Sequence, residues 1–263
     1  MKKGSKKEQI NLSEARSFTV VKANELIQKS RFNLTLEEQK IILYLISKIK
    51  PDEQELVKYI FSIKDFCQVC GLDEKSGGNY AYIKQTLKGL RDKSIWVKID
   101  VKRETTLAWV DQVTIDEHSG DIEIKINGMM KPYLIQLKEK FTQYELIYTL
   151  AMKSRYSIRL YELLKSYEHL KNHTFDINEL KVRINAEHYK AFPDFNRNAM
   201  GIALREINDL TDLTVNHSII KEGRRYAKIK FNIRLKKDTD QRLNTWKQIE
   251  LKLDGSKENK AVK

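Results

Sequence analysis

The chain has 263 residues, 41% of them hydrophobic, enough for one large core or two ordinary ones, which excludes a chain disordered throughout. Lys and Arg total 49 against 36 Asp and Glu, and the formal net charge of +13 points to a polyanionic partner. No apolar run approaches the ~20 residues that cross a bilayer, and no apolar stretch follows the Lys-rich start, so the expected location is the cytoplasm, with no membrane partner.

Residues 1–17, with Lys2, Lys3, Lys6 and Lys7, read as a flexible polar tail. A first domain is expected over 18–138. Its first strong helix runs from Leu36 to Ile49, with Thr35 as N-cap, Glu38 as capping-box partner and Pro51 as the stop. A strand from Leu56 to Phe61 leads into a helix opened by Ser62 and closed near Gly71. Cys67 and Cys70 form a C-x-x-C pair without the two further ligands of a structural zinc site, so they read as reduced thiols and no metal or other cofactor is expected.

Gly77 and Gly78 mark a turn before a helix from Asn79 to Asp92, with Ile83, Leu87 and Leu90 inside. Its outer Lys84, Lys88 and Arg91 suit phosphate contacts, and equally a solvated helix face. The period then changes to 2 through Ile95, Val97, Ile99 and Val101, and strands are expected from Thr105 to Ile115 and from Asp121 to Ile126 around Ser119–Gly120. Lys98, Lys102 and Arg103 fall on the expected wing. Three helices followed by a hairpin are the order of a winged helix.

The order recurs over 139–236. Ile41, Leu43, Tyr44 and Ile46 reappear as Ile158, Leu160, Tyr161 and Leu163 at an offset of 117. Phe61-Ser62-Ile63 reappears as Phe175-Asp176-Ile177 at 114, and Leu87 and Leu90 as Leu204 and Ile207 at 117. Three kinds of element repeating in order give the expected fold: α+β, two tandem winged-helix domains related by internal duplication. Residues 237–263 read as a charged C-terminal tail with a weak helical pattern between Leu243 and Leu253.

Within the second copy, Met200, Ala203, Leu204, Ile207 and Leu210 make an apolar stripe. The opposite face carries Asn196, Arg197, Asn198, Gly201, Arg205 and Asn208, which suits base reading in a major groove: Arg pairs with guanine, Asn with adenine, and Gly permits close approach. From 221 to 234 six basic residues face one acidic one. Lys221, Arg224, Arg225, Lys228 and Lys230 are the expected phosphate contacts of this wing, on a strand whose Ala227, Ile229, Phe231, Ile233 and Leu235 point inward. Lys153, Ser154 and Arg155 precede a long helix, where they would hold phosphate or where Ser154 simply caps.

Enzymatic chemistry is not expected. The five histidines include no H-x-H pair, His169 and His173 lack the Glu of H-E-x-x-H, and there is no P-loop.

The segment Val21-Lys22-Ala23-Asn24-Glu25-Leu26-Ile27 with Leu34-Thr35-Leu36-x-Glu38-Gln39-Lys40, and Tyr156-Ser157-Ile158-Arg159-Leu160-Tyr161-Glu162-Leu163-Leu164, resemble the iteron-binding replication initiator (Rep) proteins of theta-replicating plasmids, from about Thr19 to Leu235. The resemblance implies binding to direct repeats in double-stranded origin DNA, local origin opening, and recruitment of a host initiator and the replicative helicase. It also implies homodimers that repress their own gene, monomers that bind the repeats, and a recognition helix over Asn196 to Asn208. A winged-helix transcriptional repressor without an initiator role is the alternative. A nicking enzyme, disfavoured by the missing H-x-H, and a structural protein meeting an acidic partner are the more distant ones.

Overall fold

The computed structural model describes residues 10–50, 52–72, 77–236 and 238–258; Lys2, Lys3, Lys6 and Lys7 of the expected tail, and the stop at Pro51, lie outside them. Helix α1 (Leu12–Ser17) leads into β1 (Thr19–Ala23), α2 (Asn24–Gln28), the short β2 (Ser30–Arg31) and α3 (Leu36–Ile46). Then come β3 (Lys58–Ser62), α4 (Ile63–Cys70), α5 (Gly77–Arg91) and four strands: β4 (Ser94–Lys98), β5 (Glu104–Ala108), β6 (Val110–Asp116) and β7 (Asp121–Ile126). The short helices α6 (Lys131–Leu134) and α7 (Ile147–Leu150) flank β8 (Phe141–Glu145). Beyond them lie α8 (Arg155–Ser166), β9 (Asn172–Asp176), α9 (Ile177–Arg183), α10 (Phe192–Phe195), α11 (Gly201–Leu210), β10 (Leu213–Glu222), β11 (Arg225–Leu235) and α12 (Thr239–Glu258).

The chain is a pair of winged-helix domains, and local chemistry explains why the same unit forms twice. Both Ser62 and Asp176 end a strand and accept backbone N–H bonds from the first turn of the helix that follows, satisfying donors the helix cannot satisfy itself. Thr35 and Glu38 close a reciprocal capping box on α3. Strands β3, β7 and β6 form one antiparallel sheet, and β9, β11 and β10 form another in the same order. Tyr44 of α3 packs edge-on against Phe61 at 5.2 Å, and its counterpart Tyr161 of α8 packs against Tyr144 at 5.1 Å.

Several expectations need correction. The strand expected from Thr105 to Ile115 breaks at Trp109: β5 pairs with β4, while β6 pairs with β7 in a different sheet. Leu107 and Trp109 are buried on alternation, but Val110 is buried next to Trp109, so the phase changes there. The preceding strand ends at Lys98, leaving Ile99 exposed and Val101 91% exposed beside a turn whose backbone N–H groups donate to Asp100. The hairpin carrying Lys98, Lys102 and Arg103 is therefore an insertion, and the wing of the first domain is β6–β7. Helix α5 also starts at Gly77, and α3 stops at Ile46.

The described parts of both expected tails are helical and packed. Arg16 of α1 is 1% exposed and donates to the Val69 and Gln68 carbonyls, both at 3.1 Å, and to Asp254 at 3.0 Å. Helix α12 buries Ile249 and Leu253. At Gly71, which closes α4 with φ 66°, a Cβ would stand 2.7 Å from the Leu253 carbonyl oxygen, so only glycine lets α12 seat there.

Strand β1 and helix α8 meet on buried charge. Lys22 of β1 contacts Glu162 of α8 at 2.5 Å, and Glu162 also accepts the Tyr144 hydroxyl at 2.6 Å. Arg159 donates across the seam to the Ile27 and Ser30 carbonyls at 2.8 and 3.0 Å, and to the Arg183 carbonyl at 3.1 Å. Burial pulls the Lys22 ammonium below its ordinary value against the opposing pull of Glu162, and brings Arg159 down to about 10.

Candidate nucleic-acid interface

The third helix of the second domain is not a plain α-helix. Between α10 and α11 lies a π turn over Asn196–Met200, closed by the Gly201 N–H donating to the Asn196 carbonyl. Phe195, Ala199, Met200, Ala203, Leu204, Ile207 and Leu210 are buried, so the whole of 192–210 presents one apolar stripe to α8 and the sheet. On the other side Asn196 and Arg205 are exposed and Asn198 is half-buried. The Arg197 side chain is 75% exposed and lies 2.9 Å from Asp194. The Arg205 side chain makes no ion pair or hydrogen bond among the described residues.

Two expected base readers are otherwise engaged. Asn208 donates to the Val215 carbonyl at 3.1 Å and accepts the Val215 N–H at 2.7 Å, pinning the helix to the first strand of the wing. At Gly201 a Cβ would lie 2.8 Å from the Asn196 carbonyl oxygen, so its missing side chain serves the π turn rather than an approaching duplex.

The wing is β10–β11 with Gly223 at its tip, and Arg224 and Arg225 are exposed there. A bulge between Ile220 and Lys221 shifts the register. Period-2 alternation would put Tyr226 on the same face as Lys228, but beyond the bulge Tyr226 stacks on Phe192 at the start of the third helix, with ring centroids 4.4 Å apart and planes 22° apart. The Lys221 ammonium sits 4.7 Å above the Tyr226 ring. Lys221, Arg224 and Arg225 thus lie at a tip tied to the helix, whereas Lys228 and Lys230 project from the sheet face opposite Ala227, Ile229 and Phe231, away from it. Phe192 and Tyr226 were not among the sequence candidates, because their pairing depends on a bulge that alternation does not show.

The Lys153-Ser154-Arg155 corner is filled from within. The N–H groups of Lys153 and Ser154 donate to the Glu206 carboxylate at 2.9 and 3.3 Å, and the Ser154 hydroxyl caps Tyr156 N–H at 3.2 Å. Arg155 donates to Asn33 at 3.0 Å and to the Tyr156 hydroxyl at 3.2 Å. A protein carboxylate occupies the anion position that phosphate was expected to take.

In the first domain Lys84, Lys88 and Arg91 are exposed on α5, as expected. They border a groove of about 570 Å³ between α5 and β6 that also includes Val113 and Ile115. The turn of this wing carries Asp116, Glu117 and Asp121, and Lys84 pairs with Glu117. The backbone N–H groups of His118 and Ser119 hold the Asp116 carboxyl below its usual range, and the Lys84 ammonium does the same for Glu117. The two wings therefore carry opposite charge. Cys67 and Cys70 are buried, with burial pushing the Cys70 thiol up to about 12. Among the described residues no group of three or more His, Cys, Asp or Glu could hold a metal ion. None of their helices is long and apolar enough to cross a membrane.

Comparison with known proteins matches residues 19–165 to the family model "Initiator Replication protein, WH1" and residues 176–233 to "Initiator Rep protein, WH2". The chain belongs to the initiator replication protein family. A replication initiation protein of Escherichia coli is 24% identical over 249 residues, covering 90% of this chain and 76% of that protein. The PI protein of Escherichia coli is 29% identical over 154 residues, covering 51% of this chain and 50% of that one. A crystal structure of Pi initiator protein in complex with iteron DNA superposes with a TM-score of 0.70 at 21% identity, covering 85% of this chain and 99% of that one. Within the initiator family's first match lie both seam partners, Lys22 and Glu162; within the second lie the π turn, Arg205 and the wing. Helix α12 lies beyond both.

Proposed function

We propose that this initiator binds direct repeats at a plasmid replication origin, sequence-specifically and without catalysis. The observation that carries the reading is the exposed Arg197–Arg205 edge of the recognition helix, together with the basic wing tip of Lys221, Arg224 and Arg225 that Tyr226 ties to the start of that helix at Phe192. Guanidinium groups discriminate base edges, and a cationic tip fixes the helix on phosphate. The iteron duplex held by the solved Pi initiator supports this ligand class.

Exposed Asn196 is retained as an adjacent reader, half-buried Asn198 is not, and Asn208 and Gly201 are supports of the helix. Lys88 and Arg91 of α5 serve as the phosphate contacts of the first domain, with Lys84 partly drawn off by Glu117. We assign to it also local origin opening, recruitment of a host initiator and helicase, and autorepression as a dimer in the cytoplasm, roles that the family resemblance supports. A nuclease footprint on the origin of the plasmid bearing the gene tests the reading. Protection of tandem repeats about two helical turns apart is expected. Protection of a single operator alone would leave a repressor, and no protection would sink both.

A further inference from the structure

The recognition helix carries its two arginines on either side of the π turn, and helical geometry makes this consequential. In an uninterrupted α-helix, residues seven apart share a face to within about 20°. Asn198 lies seven positions before Arg205, and Arg197 lies eight before it. The π turn takes up one extra residue while Phe195 and Met200, five apart, both stay buried. The position in line with Arg205 is thereby moved back from Asn198 to Arg197. Exposure agrees, since Arg197 is exposed and Asn198 half-buried.

We infer that the π turn is a specificity-determining device that brings Arg197 into line with Arg205, and that Gly201 is the positioning residue that permits it. The inference rests on the proposed reading of this helix as the DNA reader. Gly201 donates the i to i+5 hydrogen bond, and any Cβ there meets the Asn196 carbonyl oxygen at 2.8 Å. This contact is with backbone, so no rotamer change relieves it. Gly201→Ala drives the segment toward an α-helical register, displacing the surplus residue toward the amino terminus and turning 192–197 by about 100°. Arg197 then leaves the line of Arg205, and Phe192 leaves Tyr226.

The experiment uses the full chain, a duplex selected by that chain from a random pool, and a composition-matched scramble. Gly201→Ala should lower the selected-over-scramble affinity ratio about tenfold or more, with binding to the scramble and its salt dependence nearly unchanged. Because Gly201→Ala also threatens the burial of Phe195, a second variant removes Asn198 in the same background. That deletion discharges the surplus residue, restores a regular helix and leaves Arg197 seven before Arg205. It should recover both the melting temperature and most of the discrimination. Full discrimination by Gly201→Ala alone would overturn the inference, as would a deletion variant that melts like the parent yet discriminates no better than Gly201→Ala. If the parent itself selects no sequence, the reading of the helix fails rather than the role of the turn.

Discussion

Arg205 and Lys228 bear the same charge in the same domain, yet the fold gives them opposite surroundings. Arg205 stands on the exposed edge of the helix, and Lys228 on the outward face of the sheet, 3.9 Å from Glu222. Arg205→Ala should cost about 1 to 3 kcal/mol on the cognate repeat, relaxing one or two base positions while leaving the slope of affinity against salt unchanged. Arg224→Ala and Arg225→Ala should each weaken all duplexes alike and flatten that slope by about one unit, and Lys228→Ala should do neither. Titrations at several salt concentrations against cognate and scrambled duplexes check all four. Composition and period located the helix and the basic hairpin correctly. Lys228 and Lys230 stand on the outward face that alternation predicts, and what alternation missed is Tyr226, which the Ile220/Lys221 bulge, leaving no mark in residue types, brings onto Phe192. Asn208 was equally opaque: an amide suited to adenine is equally suited to a strand's backbone.

Strand β9 places His173 flat against Tyr167, with centroids 3.8 Å apart, and partial burial lowers its affinity for a proton below the ordinary value of 6.5. His217 on β10 is lowered for the same reason. In the unfolded chain both take up a proton near 6.5 while the folded chain resists, so stability is lost as pH falls through 6.5. Melting temperature should decline from pH 7 to pH 5.5, and His173→Phe should decline less. Helix α12 makes a different prediction. Leu253→Ala should cost about 2 to 5 kcal/mol in urea unfolding, because it opens a cavity against α4. The helix read as a tail because its buried residues, Thr245, Ile249 and Leu253, form a stripe one residue wide among exposed Leu243 and Leu251. So narrow a stripe raises little periodic signal.

Across the molecule, the duplication was the most legible feature, because three spacings agreed and the two sheets have the same strand order. The seam was not legible. Lys22, Arg159 and Glu162 lie in the two segments that carry the family resemblance, but nothing in either segment says that they meet. Glu162→Ala should cost about 3 to 5 kcal/mol by leaving Lys22 and Arg159 buried without their counter-ion, whereas Lys22→Met with Glu162→Leu should recover much of that. Calorimetry distinguishes the two, and the single variant should also separate one transition into two.

The opposite charges of the two wing turns, Asp116, Glu117 and Asp121 against Lys221, Arg224 and Arg225, give each molecule a polarity. Turned end for end on a duplex, it would set carboxylates against the phosphates that its arginines had left. Copies lying on repeats that all run one way would then face one way, like arrows in a row. Such a row has a front and a back, and a partner that requires the exposed face of one domain finds it free at only one of the two ends.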